Sequence, residues 1–115
     1  MSEDCIFCQI AAGRIPAQRV YEDDTAVAFR DINPQAPVHV LVIPRRHFPA
    51  VGDMTADDRA LVGHLFWTAR RVAEELGIHQ SGYRLVINNG PDAQQTVQHL
   101  HLHVLGGRSM GWPPG

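Results

Sequence analysis

Long hydrophobic runs are missing from this chain. No stretch approaches the roughly 18 to 20 apolar residues a membrane span needs, so no membrane partner is expected. Cysteine is scarce: Cys5 and Cys8 alone cannot staple a secreted scaffold. The start, Met1-Ser2-Glu3-Asp4, is acidic and lacks the basic opening and apolar core of a secretory signal. A reducing, cytoplasmic location is the expectation. Neither sign of charge is in excess: ten basic against twelve acidic residues give a formal charge of −2 and a pI near 6.3, which excludes general attraction to nucleic acid or anionic lipid. Internal repeats and linkers are also absent, as are a Walker-type loop, a Gly-x-Gly-x-x-Gly turn and a Gly-x-Ser-x-Gly elbow. The 115 residues, 44% apolar and 19% charged, fit one domain over 1–115 and exclude a disordered chain.

The elements follow from periodicity. Cys5–Ile10 is a turn-sized segment, and Gly13 and Pro16 mark a turn. Two strand-like runs, 19–22 and 26–30, are split by Asp23-Asp24, and Asn33-Pro34-Gln35-Ala36-Pro37 is a loop. The β-branched run 38–43 (VHVLVI) predicts a strand stopped by Pro44. Thr55 and Asp58 have the spacing of a capping box, and Leu61, Val62, Leu65, Phe66, Ala69, Val72, Ala73 and Leu76 draw one helical stripe that Gly77 ends. Runs 83–88 and 100–105 predict two more strands. One long helix against about five strands in mostly hairpin order implies an α+β domain with an antiparallel sheet.

Seven histidines in so short a chain are unusual, and three alternate in His99-Leu100-His101-Leu102-His103. In a strand the three imidazoles share one face, about 6.5 to 7 Å apart, while Leu100, Leu102 and Val104 turn to the core. That face is a solvated polar one, a metal-ligand row, or a catalytic row for phosphate. His39 and His47 flank the VHVLVI strand within reach of the row if the strands are neighbours. His64 and His79 read as ordinary surface residues.

Cys5-Ile6-Phe7-Cys8 admits two chemistries and an inert alternative. A thioredoxin-like redox pair needs a preceding strand for which four residues leave no room. A zinc site needs two further ligands, with His47 and one histidine of the row as complements. Two plain thiols are the remaining reading.

Several residues suit a phosphorylated ligand. Gln94, Gln95 and Thr96 precede the row with amide and hydroxyl donors, Asn88 ends the preceding strand, and Asp31 can accept hydrogen bonds from a ribose diol. Ile6, Phe7, Ile10, Phe29, Ile32 and Leu41 can wall a base, although each taken singly suits the core equally.

The run His-Leu-His-Leu-His-Val-Leu resembles the motif of the histidine triad (HIT) superfamily. The resemblance extends from Cys5-Ile6-Phe7-Cys8 through 29–39 (FRDINPQAPVH) and 42–47 (VIPRRH) to the tail 106–115 (GGRSMGWPPG). The tail is similar to that of the Hint branch, the purine nucleoside phosphoramidases.

The resemblance implies a HIT-like fold, a five-stranded antiparallel sheet with one long and one short helix, paired in a homodimer whose sheets join. It also implies hydrolysis of nucleoside 5′-phosphoramidates (AMP or GMP conjugates) through a nucleotidyl-histidine, with no cofactor in the chemical step. His101 is then the nucleophile, His103 and Asn88 contact phosphate oxygens or the bridging atom, and His39 supports the row. Gln95 and Thr96 bind phosphate, Thr96 facing the leaving amine, and Asp31 holds the ribose. Trp112 shapes the leaving-group side, of the partner subunit's site if the tail crosses over. Cys5, Cys8, His47 and His99 form a structural zinc site, as in members with the Cys-x-x-Cys pair. The chain departs from the Hint pattern in having Gln94-Gln95-Thr96 for Gly-Gln-Ser, and Gln98 for an aromatic residue. Gln95-Thr96-Val97 is also similar to dinucleoside polyphosphate hydrolases, so cleavage of Ap₃A or Ap₄A is the alternative within enzymes. A nucleotide-binding regulatory protein with incidental turnover and a metallohydrolase complete the set.

Overall fold

Alternation along the strands decides how the layers form. In this computed structural model, which describes residues 4–115, the β-branched runs become β1 (Arg19–Glu22), β2 (Ala26–Arg30) and β3 (Val38–Pro44). A short helix α1 (Ile6–Ala11) precedes them and a long one, α2 (Arg59–Glu75), follows. Strands β4 (Tyr83–Val86) and β5 (Leu102–Gly106) complete an antiparallel sheet in the order β1-β2-β3-β5-β4. The acidic start at residues 1–3 lies outside the described residues.

Strand order departs from the hairpin succession. Helix α2 carries the chain across one face to the far edge, and β5 returns between β3 and β4, with Val40 opposite Val104 and Leu41 opposite His103. This insertion sets β3 beside the histidine run.

One face of the sheet packs on α2. Ala26, Ala28, Val40, Val42, Leu100, Leu102 and Val104 meet Leu65, Ala69, Val72 and Ala73 there. A fully buried leucine such as Leu102 contributes about 1.5 to 3 kcal/mol relative to exposure. Thr55 and Asp58 do form a capping box: Thr55 N–H donates to Asp58 Oδ2 at 2.8 Å, on a single 3₁₀ turn that leads into α2. Gly77, at φ +75°, ends the helix, and Ile78 N–H closes the last turn on the Ala73 carbonyl at 3.0 Å. Phe66 leaves the expected stripe, 43% exposed, and Thr68 takes an inward place with its hydroxyl donating to the His64 carbonyl.

The other face carries the alternate residues Val27, Phe29, Leu41 and Ile43, covered by Phe7, Ile10 and Ala11 of α1. His39 and His103 lie on this side. Strand β5 starts at Leu102, later than the sequence pattern implies. Leu100 N–H donates to the Phe48 carbonyl at 2.8 Å and the His99 carbonyl is taken by a side chain, so 99–101 leave the regular ladder while keeping their alternation.

Candidate active site

A cleft of about 900 Å³ opens between α1 and the sheet. Its floor is apolar, from Phe7, Ile10, Phe29 and Leu41, all at least nine-tenths buried. Ile6 and Ile32 sit at its rim, the latter almost fully exposed. Asp31, His39, Thr96, His101 and His103 bring polar groups to the same space. Ten of the thirteen residues expected around a nucleotide, and all three expected catalytic histidines, therefore meet in one cleft.

Hydrogen bonds fix which nitrogen of each ring is free. His101 Nδ1 lies 2.7 Å from the His99 carbonyl, an acceptor only, so Nδ1 carries the proton and Nε2 the lone pair. Burial pushes His101 below its ordinary value, against the pull of that carbonyl, and keeps the ring neutral near pH 7. Phe7 supports it edge-on, with ring centroids 5.1 Å apart.

A second chain of bonds begins at a donor. Gln35 N–H donates to His39 Nδ1 at 3.0 Å, leaving the proton on Nε2. That proton is donated to His103 Nδ1 at 2.9 Å, which puts the proton of His103 on Nε2. Among the described residues, His103 Nε2 is the one buried side-chain nitrogen or oxygen with no hydrogen-bond partner. A buried N–H without a partner is costly unless a ligand acceptor meets it. Burial, reinforced by the neighbouring His101 and His39, holds His103 down to about 4, so the donor is a neutral one. Burial also lowers His39, partly offset by Asp31, whose Oδ2 lies 3.4 Å from His39 Nε2.

Three expected ligand residues stand outside the cleft lining. Gln95 turns inward: its NH₂ donates to the Pro49 and Val97 carbonyls at 2.7 and 3.0 Å, and its oxygen accepts from Gly90 N–H at 2.9 Å. It braces the loop on which Thr96 sits. Asn88 is half-buried beyond the end of β4, and Trp112 is 83% exposed with the Arg84 guanidinium 5.9 Å from its ring centroid. Gln94, expected from the sequence as a donor to phosphate, does line the cleft, whereas Arg30, Asn33 and Gln35 line it without having been assigned a role from the sequence.

Cys5, Cys8, His47 and His99 converge beside this cleft, their donor atoms all within 4.8 Å of one another. Cys5 caps α1, its Sγ accepting from Cys8 N–H at 3.4 Å. His99 Nδ1 is 3.3 Å from Cys5 Sγ, 3.5 Å from Cys8 Sγ and 3.1 Å from His47 Nδ1. A tetrahedral zinc ion requires S···N and N···N separations of about 3.5 and 3.3 Å, so the donor set fits. His99 Nε2 donates to the Pro44 carbonyl at 2.9 Å, which leaves the Nδ1 lone pair facing the cluster. His99 is fully buried, and burial takes it down to about 4.

His64 differs from its surface reading. It is half-buried, 2.7 Å from Asp23 Oδ2 and stacked on Trp67. Burial alone would raise Asp23, but hydrogen bonds from the Ala26 and Thr25 amides, Tyr21 and His64 outweigh it and bring the carboxyl to about 2. This cluster takes no part in the cleft lining and ties the β1–β2 turn to α2.

The HIT domain family model matches residues 12–110. An uncharacterised HIT-like protein of Synechocystis is 56% identical over the full length of both chains. Among solved structures, a HIT family hydrolase from Legionella pneumophila is 48% identical, with a TM-score of 0.95 over 97% of this chain and 100% of its own. A HIT family hydrolase from Clostridium thermocellum is 45% identical, with a TM-score of 0.94 over 96% of each chain. The chain belongs to the HIT family, and within it is similar to proteins described as hydrolases.

Proposed function

We propose that this chain is one HIT domain that hydrolyses purine nucleoside 5′-phosphoramidates through a nucleotidyl-histidine, as the Hint branch does. The observation that carries the reading is the pairing, in the lining of one cleft, of two histidines whose tautomers are fixed by hydrogen bonds. His101 Nε2 offers a lone pair, and His103 Nε2 offers a buried N–H with no partner.

The base lies on the apolar floor under Ile6 and Ile32, and Asp31 accepts from the ribose hydroxyls. His101 Nε2 attacks the α-phosphorus. The P–N bond breaks with its electron pair going to nitrogen, which takes a solvent proton by way of the Thr96 hydroxyl. Charge gathers on the phosphoryl oxygens, where the neutral His103 donor stabilises it. The phosphorylated His101 ring carries positive charge, and the His99 carbonyl at 2.7 Å stabilises that in turn. Water then attacks phosphorus, the P–Nε2 bond breaks, and the electron pair returns to His101 while the water proton leaves to solvent. His39 is a positioning residue that holds the His103 tautomer.

Cys5, Cys8, His47 and His99 would hold zinc, which supplies structural cross-linking of α1 to the sheet and no chemistry. The reading also includes a cytoplasmic homodimer, for which β4 stands at an edge of the sheet, and the exposed Trp112 then has the partner's cleft to reach. The same nucleophile serves P–O cleavage of dinucleoside polyphosphates, a second reading favoured by Gln95-Thr96-Val97.

The test is turnover of a fluorogenic adenosine 5′-phosphoramidate and of Ap₄A by wild type and His101→Ala, with and without EDTA. Phosphoramidate turnover that survives EDTA and vanishes in the variant supports the reading. Faster turnover of Ap₄A moves the chain to the sister branch, and no turnover of either substrate leaves a binding protein.

A further inference from the structure

Gln94 is the one non-glycine residue with a positive φ among the described residues, at φ 63° and ψ 37°. The left-handed region costs a residue with a side chain conformational energy, and such positions gather at ligand clamps. The surroundings lock it there. Gln94 N–H donates to the Pro91 carbonyl at 3.0 Å, Gln95 N–H to the Gly90 carbonyl at 3.2 Å, and the Gln95 side chain is bonded on both sides of the turn.

The Gln94 side chain itself is exposed and makes no hydrogen bond among the described residues, yet Gln94 lines the cleft with Thr96, His101 and His103. The apolar wall for a base comes from α1, β2 and β3, whereas Gln94 and Thr96 come from the loop ahead of β5. A carboxamide there offers one acceptor and two donors and no charge.

We infer that Gln94 is a specificity-determining residue for the leaving group. Its carboxamide hydrogen-bonds leaving amines that carry a carbonyl, carboxamide or hydroxyl a few atoms from the scissile nitrogen, and so favours them over alkyl amines of equal size. The inference rests on the phosphoramidase reading above and names the substrate class within it.

The experiment compares adenosine 5′-phosphoramidates of glycinamide and isobutylamine, in wild type, Gln94→Gly and Gln94→Asn. Glycine adopts this φ freely and asparagine tolerates it, so both variants keep the turn, which a melting curve checks. Wild type is expected to prefer glycinamide in kcat/KM by about fivefold to tenfold, the worth of one neutral hydrogen bond. Gln94→Gly brings the ratio towards one, and Gln94→Asn keeps part of it. A general defect would change both rates and leave the ratio alone. An unchanged ratio in Gln94→Gly, or none in wild type, overturns the inference while the phosphoramidase reading stands. No turnover of either substrate by wild type overturns that reading and the inference with it.

Discussion

The His99 carbonyl accepts a hydrogen bond from Nδ1–H of His101 at 2.7 Å, while the side chain of His99 faces Cys5, Cys8 and His47. One residue thus belongs to two centres: its imidazole to the cluster with Cys5, Cys8 and His47, its main chain to His101, the proposed nucleophile. Phe7, between the two cysteines in sequence, touches both rings edge-on, with centroids 5.9 Å from His99 and 5.1 Å from His101.

If this cluster holds zinc as proposed, removal of the zinc is expected to have an asymmetric effect. Protein purified without added metal is expected to carry about one zinc per chain, and Cys8→Ser to lose it. Untying α1 lowers the melting temperature by about 10 °C, taking each kcal/mol as worth about 4 °C in a chain of this size. Turnover at low temperature falls less, because His101 keeps its carbonyl partner. Metal analysis with melting curves and rates checks this, and a full-strength metal content in Cys8→Ser contradicts the assignment.

The relay from Gln35 through His39 to His103 makes a separate prediction. His103→Ala removes the donor proposed for the phosphoryl oxygens and is expected to lower kcat by about 10² to 10³. His39→Ala acts only through orientation, so its loss is smaller. Nitrogen-15 spectra should show His103 protonated on Nε2 in wild type and a mixture of tautomers in His39→Ala. Protonation of His103 on Nδ1 in wild type would break the relay.

Stability responds to acid in two windows. Above pH 6.5 His103 is neutral folded and unfolded. Between 6.5 and its folded value of about 4 the unfolded chain takes up a proton that the folded chain refuses, so stability falls as the pH is lowered. Asp23 adds a second loss: its contribution is full above 3.8 and disappears as pH falls towards about 2. Urea denaturation across pH should show a shallower slope between 6.5 and 4 in His103→Asn, and below 4 in Asp23→Asn. Slopes equal to wild type would count against both shifts.

Much of this was legible in the sequence for local reasons. Alternation placed Leu100, Leu102 and Val104 in the core, and spacing found the Thr55–Asp58 cap and the Gly77 stop. What stayed hidden depends on partners far apart in the chain. The pairing of His39 with His103 spans 64 residues and exists because β5 inserts beside β3. Gln95 was read as a phosphate ligand from its neighbours, but its orientation is set by the Pro49 carbonyl on another loop. The left-handed turn at Gln94 has no signal in a residue type that normally avoids it.

Covalent bonding of His101 Nε2 to phosphorus is the defining step of the proposed reaction. It is tested most directly by intact-protein mass spectrometry after rapid mixing with an adenosine 5′-phosphoramidate and acid-free quenching. Wild type should gain the mass of one nucleoside monophosphate less water, mapped to His101, and His101→Ala should gain nothing. Turnover by wild type with no adduct at any mixing time, or with an adduct that persists in His101→Ala, would contradict the account.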